Sequence, residues 1–270
     1  MPSAPSIAET ERTEIEASHA IFEAAPADTV AELGLRSEFW DDAHFSMARG
    51  YPSPVFNRLH LPNGAMDNDV RIARAIANFR DAGVTRFLVH APPCDGAAHM
   101  ERQARAAGLG PYRRGWMKFW RAAEIVEAPA SELRIVPVDD ANAHAWGVVT
   151  ARNFAMPDAM VAWLTAMARA PRWHACLSLD GDTPVGGGVF YRASDDTAWF
   201  GMGSTSAQAR GRGGQTAMLA RRINDASALG LRWMVVETGA AVPGEPQTSY
   251  HNIERAGFTA LYERPNWGET

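Results

Sequence analysis

The sequence has 270 residues, of which 46% are hydrophobic and 21% are charged. These are values of an ordinary globular protein with a sizeable core, and they exclude a chain that is disordered throughout. The 31 acidic residues outnumber the 26 basic ones, and the net charge of −5 argues against a nucleic-acid partner, which would require a basic face. The length fits one large domain or two smaller ones.

The cysteines and the N-terminal residues bear on the cell compartment. Cys94 and Cys176 are too few and too far apart to suggest a disulfide framework, which favours a reducing compartment. Residues 1–6 are rich in Pro, Ser and Ala without a basic start or an apolar run, so we expect a loose tail and no signal peptide. Because no apolar stretch approaches the length of a membrane span, the prediction is a cytoplasmic protein without a membrane partner.

Hydrophobic periodicity and turn residues divide the first half into strands and helices. A surface helix is predicted before Pro26, and Gly83 and Gly108 are placed to end two later helices, as glycine commonly does. The predicted elements are helix Ile7–Ala25, strands Phe39–Ala48 and Val55–Leu61, helix Asp67–Ala82, strand Arg86–His90, helix Ala97–Ala107 and strand Tyr112–Arg121.

A similar alternation returns after Glu127–Ala130, which we interpret as a linker. The predicted elements are strand Leu133–Pro137, two helices ending near Thr150 and Ala168, strands Trp173–Leu179, Val185–Tyr191 and Thr197–Thr205, helix Gly213–Ala228, strand Trp233–Thr238, helix Ser249–Ala256 and strand Phe258–Tyr262. Both halves contain the order two strands, helix, strand, helix, strand. This order predicts an internal duplication, and the alternative is a chance likeness between two α/β segments.

The stretch from Gly203 to Leu219 carries the strongest functional signal. A predicted strand leads into a glycine-rich turn that opens a helix, so that unpaired main-chain N–H groups and the positive end of the helix dipole face the same place. Arg210 and Arg212 add two positive charges to this turn. The pattern predicts a phosphate-binding turn, and an ordinary solvated turn is the alternative.

Residues Arg210–Gln215 resemble the Arg-x-x-Gly-x-Gly/Ala signature of the GCN5-related N-acetyltransferase (GNAT) superfamily, whose turn holds the diphosphate of acetyl-coenzyme A (acetyl-CoA). Gln215 departs from the signature, which has a small residue at that position. Ser249–Phe258 is similar to the late helix and closing Gly-Phe pair of the family, and Trp233–Thr238 corresponds to the intervening strand. The resemblance covers Leu133–Trp267.

The resemblance implies an α/β (α+β) protein with two tandem GNAT-like domains, each a mixed, mostly antiparallel twisted sheet flanked by helices. Residues 1–127 would form a degenerate domain, and residues 131–270 would form the domain that binds acetyl-CoA. In the first copy Leu61–Asp67 stands where the phosphate turn should be. This segment is acidic and has no arginine, so it would repel a diphosphate. The first half is therefore predicted to support the second half or to wall the acceptor site.

The resemblance also implies which residues hold acetyl-CoA. Main-chain N–H groups of the turn and its arginines would contact the diphosphate, and small residues at the end of the preceding strand would let the pantetheine lie against the strand. A β-bulge in an ordinary sheet is the alternative explanation of the strand glycines. The predicted binding residues are Gly203, Thr205, Arg210, Gly211, Arg212, Gly213, Gly214, Gln215, Thr216, Ser249 and Asn252.

Acetyl transfer to an amine requires a polarised thioester carbonyl and a group that accepts the proton of the amine. By the resemblance, a main-chain N–H at Ser204 or Thr205 would polarise the carbonyl. Glu237, at a strand end, is the predicted base, with His251 as a second candidate. The family often has a tyrosine where this chain has Ile253, and Tyr250 either substitutes for it or packs as an ordinary helix residue.

We therefore predict an N-acetyltransferase that moves an acetyl group from acetyl-CoA to a primary amine of a small molecule by direct transfer in a ternary complex. The alternative is a non-catalytic acyl-CoA-binding or regulatory module. Neither cysteine lies in a nucleophile motif, so no acetyl-cysteine is expected. His90, Cys94 and His99 have a spacing that could ligate zinc, but a fourth ligand is missing from the motif, so no metal is predicted. Assembly as a homodimer is left open.

Overall fold

A computed structural model describes residues 3–63 and 67–269. These residues form two mixed, mostly antiparallel sheets flanked by helices, which confirms the predicted fold class. Gly64–Met66, within the acidic segment predicted to replace a phosphate turn, lie outside the described residues, as do residues 1, 2 and 270. Among the residues that are described, no helix has the length and apolar character needed to cross a membrane.

The first half differs from the prediction at one hairpin, and it contains a helix, Ala27–Leu33, that was not predicted. The predicted strand Phe39–Ala48 is wrong, because Asp41 adopts a left-handed φ of 55° and turns the chain back on itself. The elements are α1 (Ile7–Glu23), α2 (Ala27–Leu33), β1 (Leu35–Trp40), β2 (Ala43–Ala48), β3 (Arg58–His60), α3 (Asn68–Asp81), β4 (Leu88–His90), α4 (Ala97–Ala106), β5 (Gly110–Pro111) and β6 (Trp116–Ala122).

Helix α1 is more buried than a surface helix. It begins with a capping box, in which Ser6 Oγ accepts from the Glu9 N–H at 3.2 Å and the Glu9 carboxylate accepts from the Ser6 N–H at 2.8 Å. Its inner face carries Glu11 and Glu14, each 1% exposed, beside apolar side chains. Buried glutamates are rare without charged partners, so the polar pattern that suggested a surface helix reflects an internal ion-pair cluster.

The second half follows the predicted order of elements and adds a short final strand. The elements are β7 (Arg134–Pro137), α5 (Ala143–Asn153), α6 (Ala159–Arg169), β8 (Trp173–Asp180), β9 (Thr183–Arg192), β10 (Thr197–Thr205), α7 (Gly214–Ala228), β11 (Trp233–Gly239), α8 (Thr248–Arg255), β12 (Thr259–Arg264) and β13 (Asn266–Gly268).

The two sheets repeat one topology. Their strand orders are β1-β2-β3-β4-β13-β5 and β7-β8-β9-β10-β11-β6-β12. In the first sheet only β3 and β4 pair in parallel, and in the second only β10 and β11 do, counting the pairings of the described residues. A helix, α3 or α7, connects each parallel pair. From β8 onward the second sheet matches the first strand for strand, as an internal duplication requires.

Each sheet contains one strand from the opposite half. Strand β6 lies between β11 and β12, with Trp120 paired to Val235, and β13 lies between β4 and β5, with Trp267 paired to Val89. The predicted domain boundary, between residues 127 and 131, separates the two halves along the chain. Because main-chain ladders cross that division in both directions, neither sheet is complete without the other half.

Side chains of the second sheet alternate between two packed faces. On one face, Phe200 packs with Ile223 of α7. On the other, Trp199 packs in a cluster that includes Trp146 of α5 and Ala17 of α1. This arrangement places α1, from the first half, over the same face of the sheet as α5 and α6.

Candidate active site

The parallel strands β10 and β11 separate toward their C-terminal ends. Their last paired residues are Phe200 and Val236, whereas β10 continues to Thr205 and β11 continues to Gly239. The main-chain groups beyond the last pair are therefore not bonded across the strands in this ladder. The separation opens a cleft in the middle of the second sheet.

Two adjoining cavities occupy this cleft. The outer cavity, about 560 Å³, lies at the N-terminal end of α7, and the inner cavity, about 240 Å³, lies between the ends of β10 and β11. The residues that line both are Phe154, Gly203, Gln215, Ser249 and Asn252. Because the cavities share walls, one elongated ligand could extend through both.

Nearly all of the residues predicted to bind acetyl-CoA line one or both cavities. These residues are Gly203, Thr205, Arg210, Gly211, Gly213, Gly214, Gln215, Thr216, Ser249 and Asn252. Ser204 lines the outer cavity and Glu237 lines the inner one. The fold thus brings together two motifs that are separated by more than thirty positions in the printed sequence.

The turn has glycine at positions 213 and 211 for different steric reasons. Gly213, the N-cap of α7, has φ 77°, and a Cβ there would lie 2.6 Å from the carbonyl oxygen of Ala130 in the linker. Gly211 has φ 79° and open space around its Cβ position. Among the residues that the structure describes, no side chain caps α7, so the N–H groups of its first turn remain available to an anion in the outer cavity.

The two arginines of the turn have different environments. Arg210 lines the outer cavity, and its Nε donates to the carbonyl oxygen of Thr205 at 3.3 Å. Arg212 lies outside both linings, and its guanidinium donates to Glu132 at 2.8 Å and to Asp180 at 2.6 Å. The prediction that both arginines face one ligand is therefore not supported for Arg212, whose charge is already paired with two carboxylates.

Arg255 lines the outer cavity and was missed by the sequence analysis. It is the last residue of α8, and it approaches the turn only because α8 packs beside α7. Its position three residues after Asn252, on the same helical face, is the signal that could have identified it. With Arg210, it gives the outer cavity two arginines.

Strand β10 has a β-bulge beside the cleft. The register with β9 shifts between Gly201 and Ser204, and Met202 within this stretch has a left-handed φ of 51°. A bulge changes the direction of main-chain and side-chain groups next to a site. Ser204 Oγ also accepts a hydrogen bond from Asn153 Nδ2 at 3.2 Å. The strand glycines therefore belong to a bulge that itself borders the cavities.

Glu237 is held by two cations from different elements. Lys118 of β6 donates to its Oε2, and Arg264 of β12 donates to the same oxygen at 3.3 Å. Both hydrogen bonds are to Oε2, and neither of them involves Oε1. Because Glu237 lines the inner cavity, this arrangement leaves Oε1 as the oxygen that can meet a ligand.

The surroundings of Glu237 raise its pKa above the ordinary value. Burial has the largest effect, followed by repulsion from Glu14, while Lys118 and Arg264 act in the opposite direction. Glu14 behaves differently. Although burial raises its pKa, attraction by Arg264 and Lys118 holds that pKa well below the usual range. The pair therefore contains one firmly ionised carboxylate and one with greater proton affinity, which is the property of a general base.

The fold has counterparts among solved structures. It is similar to a GCN5-related N-acetyltransferase from Kribbella flavida, with TM-score 0.61, 12% identity and 94% of each chain covered. It is also similar to one from Sphaerobacter thermophilus, with TM-score 0.60, 16% identity, and 98% of this chain and 93% of the other covered. No protein-family model and no curated protein matches the sequence.

A third similar structure contains the same kind of duplication. It is a tandem GNAT protein from the clavulanic acid biosynthesis pathway, with TM-score 0.56, 14% identity, and 96% of this chain and 94% of the other covered. The chain has a tandem GNAT fold. Within this fold, the residues that line both cavities belong to the second half.

Some candidates for proton transfer lie away from the cavities of the GNAT fold. The rings of Tyr250 and Phe119 pack in a T-shaped arrangement, with their centroids 4.9 Å apart. Neither Tyr250 nor His251 lines either of the two cavities described here. Ile253, at the position of the family's tyrosine, lines the inner cavity. Burial raises the pKa of the Cys176 thiol to about 12, which makes it a poor nucleophile.

One group of side chains in the GNAT fold has donor types suited to a metal ion. In the described part of the chain, ligand atoms of Glu14, His60 and His90 lie within 4.8 Å of one another. Both oxygens of Glu14 already accept hydrogen bonds from cations, among them Arg264 at 3.1 Å and Arg58 at 3.4 Å. A metal would have to displace these partners, so the group is better explained as an ion-pair cluster. Cys94 and His99 are not members of it.

Proposed function

We propose that the protein is a GNAT-type N-acetyltransferase that moves an acetyl group from acetyl-CoA to a primary amine of a small molecule. The observation that carries this proposal is the continuity of the two cavities. One begins at an uncapped helix N-terminus with Arg210 and Arg255, and the other ends at the Glu237 carboxylate. A phosphate-bearing thioester and a base for its amine acceptor are the two components that this arrangement suits.

The donor would lie with its diphosphate in the outer cavity. Main-chain N–H groups at the start of α7 would contact the phosphate oxygens, with the helix dipole adding a favourable field. Arg210 and Arg255 would supply positive charge from two sides. The pantetheine would then follow Gly203 toward the inner cavity, because Gly203 borders both cavities and has no side chain in the path.

The chemical step would be a direct transfer. The amine nitrogen attacks the thioester carbonyl carbon, a C–N bond forms, and the C–S bond breaks to release the thiolate of CoA. Glu237 Oε1 takes the proton that the amine nitrogen loses. A main-chain N–H at the bulge near Ser204 would donate to the carbonyl oxygen as negative charge develops on it.

The first half would contribute to the acceptor side of this site. Its β6 supplies Lys118, which contacts Glu237, and its α1 supplies Glu14, which contacts Lys118. We propose that these residues set the orientation and the proton affinity of Glu237. The degenerate half would therefore support catalysis without binding acetyl-CoA, in a protein that works in the cytoplasm.

A non-catalytic acyl-CoA-binding module is the second candidate. It is favoured by the packing of Tyr250 against Phe119, away from the cavities, and by the apolar Ile253 at the corresponding family position. A thiolate would then have no tyrosine to protonate it. However, a thiol has a pKa of about 8.5, so its thiolate can leave near neutral pH without a strong acid.

Release of free CoA thiol decides between the two candidates. Purified protein is mixed with acetyl-CoA and a panel of small primary amines, and thiol release is followed over time with the acetylated amine identified by mass spectrometry. An acetyltransferase gives sustained, amine-dependent release. Tight binding of acetyl-CoA without release above the protein-free rate across the panel would contradict the enzymatic proposal and support a binding module.

A further inference from the structure

Arg222 of α7 is a buried cation without a carboxylate partner. It is 2% exposed, and within residues 3–63 and 67–269 it forms hydrogen bonds only to main-chain carbonyl oxygens. Its Nε donates to Met218 at 3.3 Å, and its Nη1 donates to Val189 at 3.1 Å and to Gly201 at 3.2 Å. Buried arginines normally pair with an anion, because desolvating a guanidinium is costly.

The surroundings leave room for this guanidinium. A Cβ on Gly188 would lie 2.9 Å from Arg222 Cζ, so any larger residue there would displace the side chain. The guanidinium also lies 5.1 Å from the ring centroid of Phe200. Because Gly188 and Phe200 belong to the paired strands β9 and β10, the guanidinium of this α7 residue packs against the sheet.

One nitrogen of Arg222 remains available to a ligand. Nη2 makes none of the three hydrogen bonds described above, and Arg222 lines the inner cavity. A Cβ placed on Gly203 would be 3.5 Å from this Nη2 and 2.9 Å from Gln215 Nε2. Two nitrogen donors thus approach the same place beside the cavity wall.

Gln215 is oriented for this role by its neighbour. The hydroxyl of Thr205 donates to Gln215 Oε1 at 3.2 Å, which leaves the Nε2 amide group toward Gly203. The GNAT signature has a small residue at this position, whereas this chain has the glutamine. Its amide adds a neutral donor beside the charged Nη2 of Arg222.

The balance of charge in the inner cavity favours an anionic ligand. Glu237, the carboxylate in the lining, is already paired with Lys118 and Arg264. Arg222 has no such compensation among the described residues. A cation that is unpaired before the reaction is better matched by a full negative charge on the bound substrate than by charge that develops only in the transition state.

We propose that the inner cavity recognises the terminal carboxylate of a dicarboxylic acyl thioester through Arg222 Nη2 and Gln215 Nε2. The proposal rests on the proposed acyl transfer and changes its preferred donor from acetyl-CoA to an acyl-CoA that carries a short carboxylate-ended chain. The cavity volume of about 240 Å³ corresponds to roughly eight liquid water molecules, so a chain of four carbons fits.

The test compares succinyl-CoA with butyryl-CoA, which have acyl chains of equal carbon number and differ by the terminal carboxylate. Dissociation constants are measured by calorimetry for the wild-type protein, with free CoA as a reference ligand. The wild type should prefer succinyl-CoA by about 10- to 100-fold, as expected for hydrogen bonds to a charged group. Equal affinities would overturn the proposal without any variant being made.

Variants assign the preference to the two donors. R222M should abolish the preference, Q215L should reduce it, and R221M should keep it, because Arg221 is the next residue of α7 and pairs with Asp225 at 2.9 Å. Retention of the full preference in a folded R222M protein would contradict the assignment. If R222M does not fold, Q215L and the wild-type ratio still decide the outcome.

The reference ligand separates this proposal from the proposed function. If free CoA fails to bind, the cleft does not hold the donor and both proposals fail. If CoA and acetyl-CoA bind and acetyl-CoA supports transfer, but succinyl-CoA shows no advantage over butyryl-CoA, only the carboxylate proposal fails. Propionyl-CoA and malonyl-CoA form a shorter matched pair that reports how deep the carboxylate lies.

Discussion

The parallel strand pairs of the two halves have the same position in their sheets and different ends. In the second half, β10 and β11 continue beyond their last pair, Phe200 and Val236, and a cleft opens between them. In the first half, β3 and β4 end together at His60 and His90, and the next N–H, of Leu61, still donates to the His90 carbonyl oxygen at 3.1 Å. An identical topology therefore produces a cleft only where the strands extend beyond the ladder.

The helices that follow these strands differ in the same sense. Among the described residues neither helix has a side-chain cap, but the N-cap of α7 is Gly213, which borders the outer cavity. The N-cap of α3 is Asp67, whose carboxylate pairs with Arg71 at 3.3 Å, and Arg71 also contacts Asp42 at 2.9 Å. Carboxylates thus lie around Arg71 near the start of α3, and their negative charge would repel a phosphate. The comparison shows how a duplicated half can keep the fold and lose an anion site.

The interiors of the two halves also differ in where they contain buried polar residues and where they contain open space. The first sheet contains His44, His60 and His90, each 0% exposed, and ligand atoms of His60 and His90 lie within 4.8 Å of Glu14. The corresponding part of the second sheet is occupied by the cleft. The first half therefore contributes buried polar residues near Glu237, among them Lys118, whose charge attracts the Glu237 carboxylate, while the cleft lies in the second half.

Replacing Glu237 with glutamine should produce the largest effect on the rate. It tests whether the second half, which contains the cleft, performs the chemistry. Loss of a general base should lower kcat by about 10²- to 10⁴-fold, with little change in CoA affinity. The measurement is amine-dependent thiol release combined with calorimetric binding of CoA. Glu254, on the exposed side of α8, provides the control variant E254Q. A fully active E237Q protein would remove Glu237 as the base.

The pH dependence of kcat/KM also tests the assignment of Glu237 as the general base. Because burial and Glu14 raise the pKa of Glu237, the base is ionised only above that raised value. The rate should therefore increase with pH through a pKa above 4.5, the ordinary value for a glutamate. A rate that is independent of pH across this range, measured with an amine whose own titration is known, would contradict the assignment.

Replacing His60 with glutamine tests the buried polar cluster of the first half, which has no cleft between β3 and β4. Burial first, and Arg58 second, lower the pKa of His60 from 6.5 to about 3. The unfolded chain binds this proton below pH 6.5 and the folded protein does not, so the free energy of unfolding should fall as pH falls below 6.5, by about 1.4 kcal/mol per pH unit. The H60Q variant should have a shallower slope.

Denaturant titrations between pH 5 and 6.5 measure this slope and avoid the range in which Glu14 titrates. The lowered pKa of Glu14 means that its contribution is present above about 4.5 and is lost only as pH falls further. The exposed His251 supplies the control variant H251Q. An unchanged slope in H60Q would show that His60 is not the buried neutral group described here.

Replacing Arg210 with methionine should have the smallest effect and tests the charge of the open turn. Arg210 lines the outer cavity while Arg212 is paired with Glu132 and Asp180. Exposed ion pairs contribute little, so R210M should weaken CoA binding about two- to fivefold, and less at high salt. R212M should leave CoA affinity nearly unchanged. The opposite ranking of the two variants would contradict the assignment of the arginines.

Local sequence features predicted most of the second half because its signals are short-ranged. The order of its strands and helices agrees with the prediction, and the glycine turn begins α7 where the sequence indicated. The partners of Arg212 were not predictable, since Glu132 and Asp180 are distant in sequence and meet it only when β7 and β8 pair. Tyr250 likewise needed the packing of α8 to show that it faces Phe119.

The duplicated order of elements, the glycine turn and its contrast with the acidic turn could be predicted from the amino-acid sequence, because periodicity, capping and turn chemistry act over a few residues. The exchange of β6 and β13 between the sheets, the burial of Glu14 in α1 and the position of Arg222 beside the inner cavity follow from the folded structure. These features depend on residues far apart in the chain. Their charges become partners, or remain unpaired, only after the two sheets have formed.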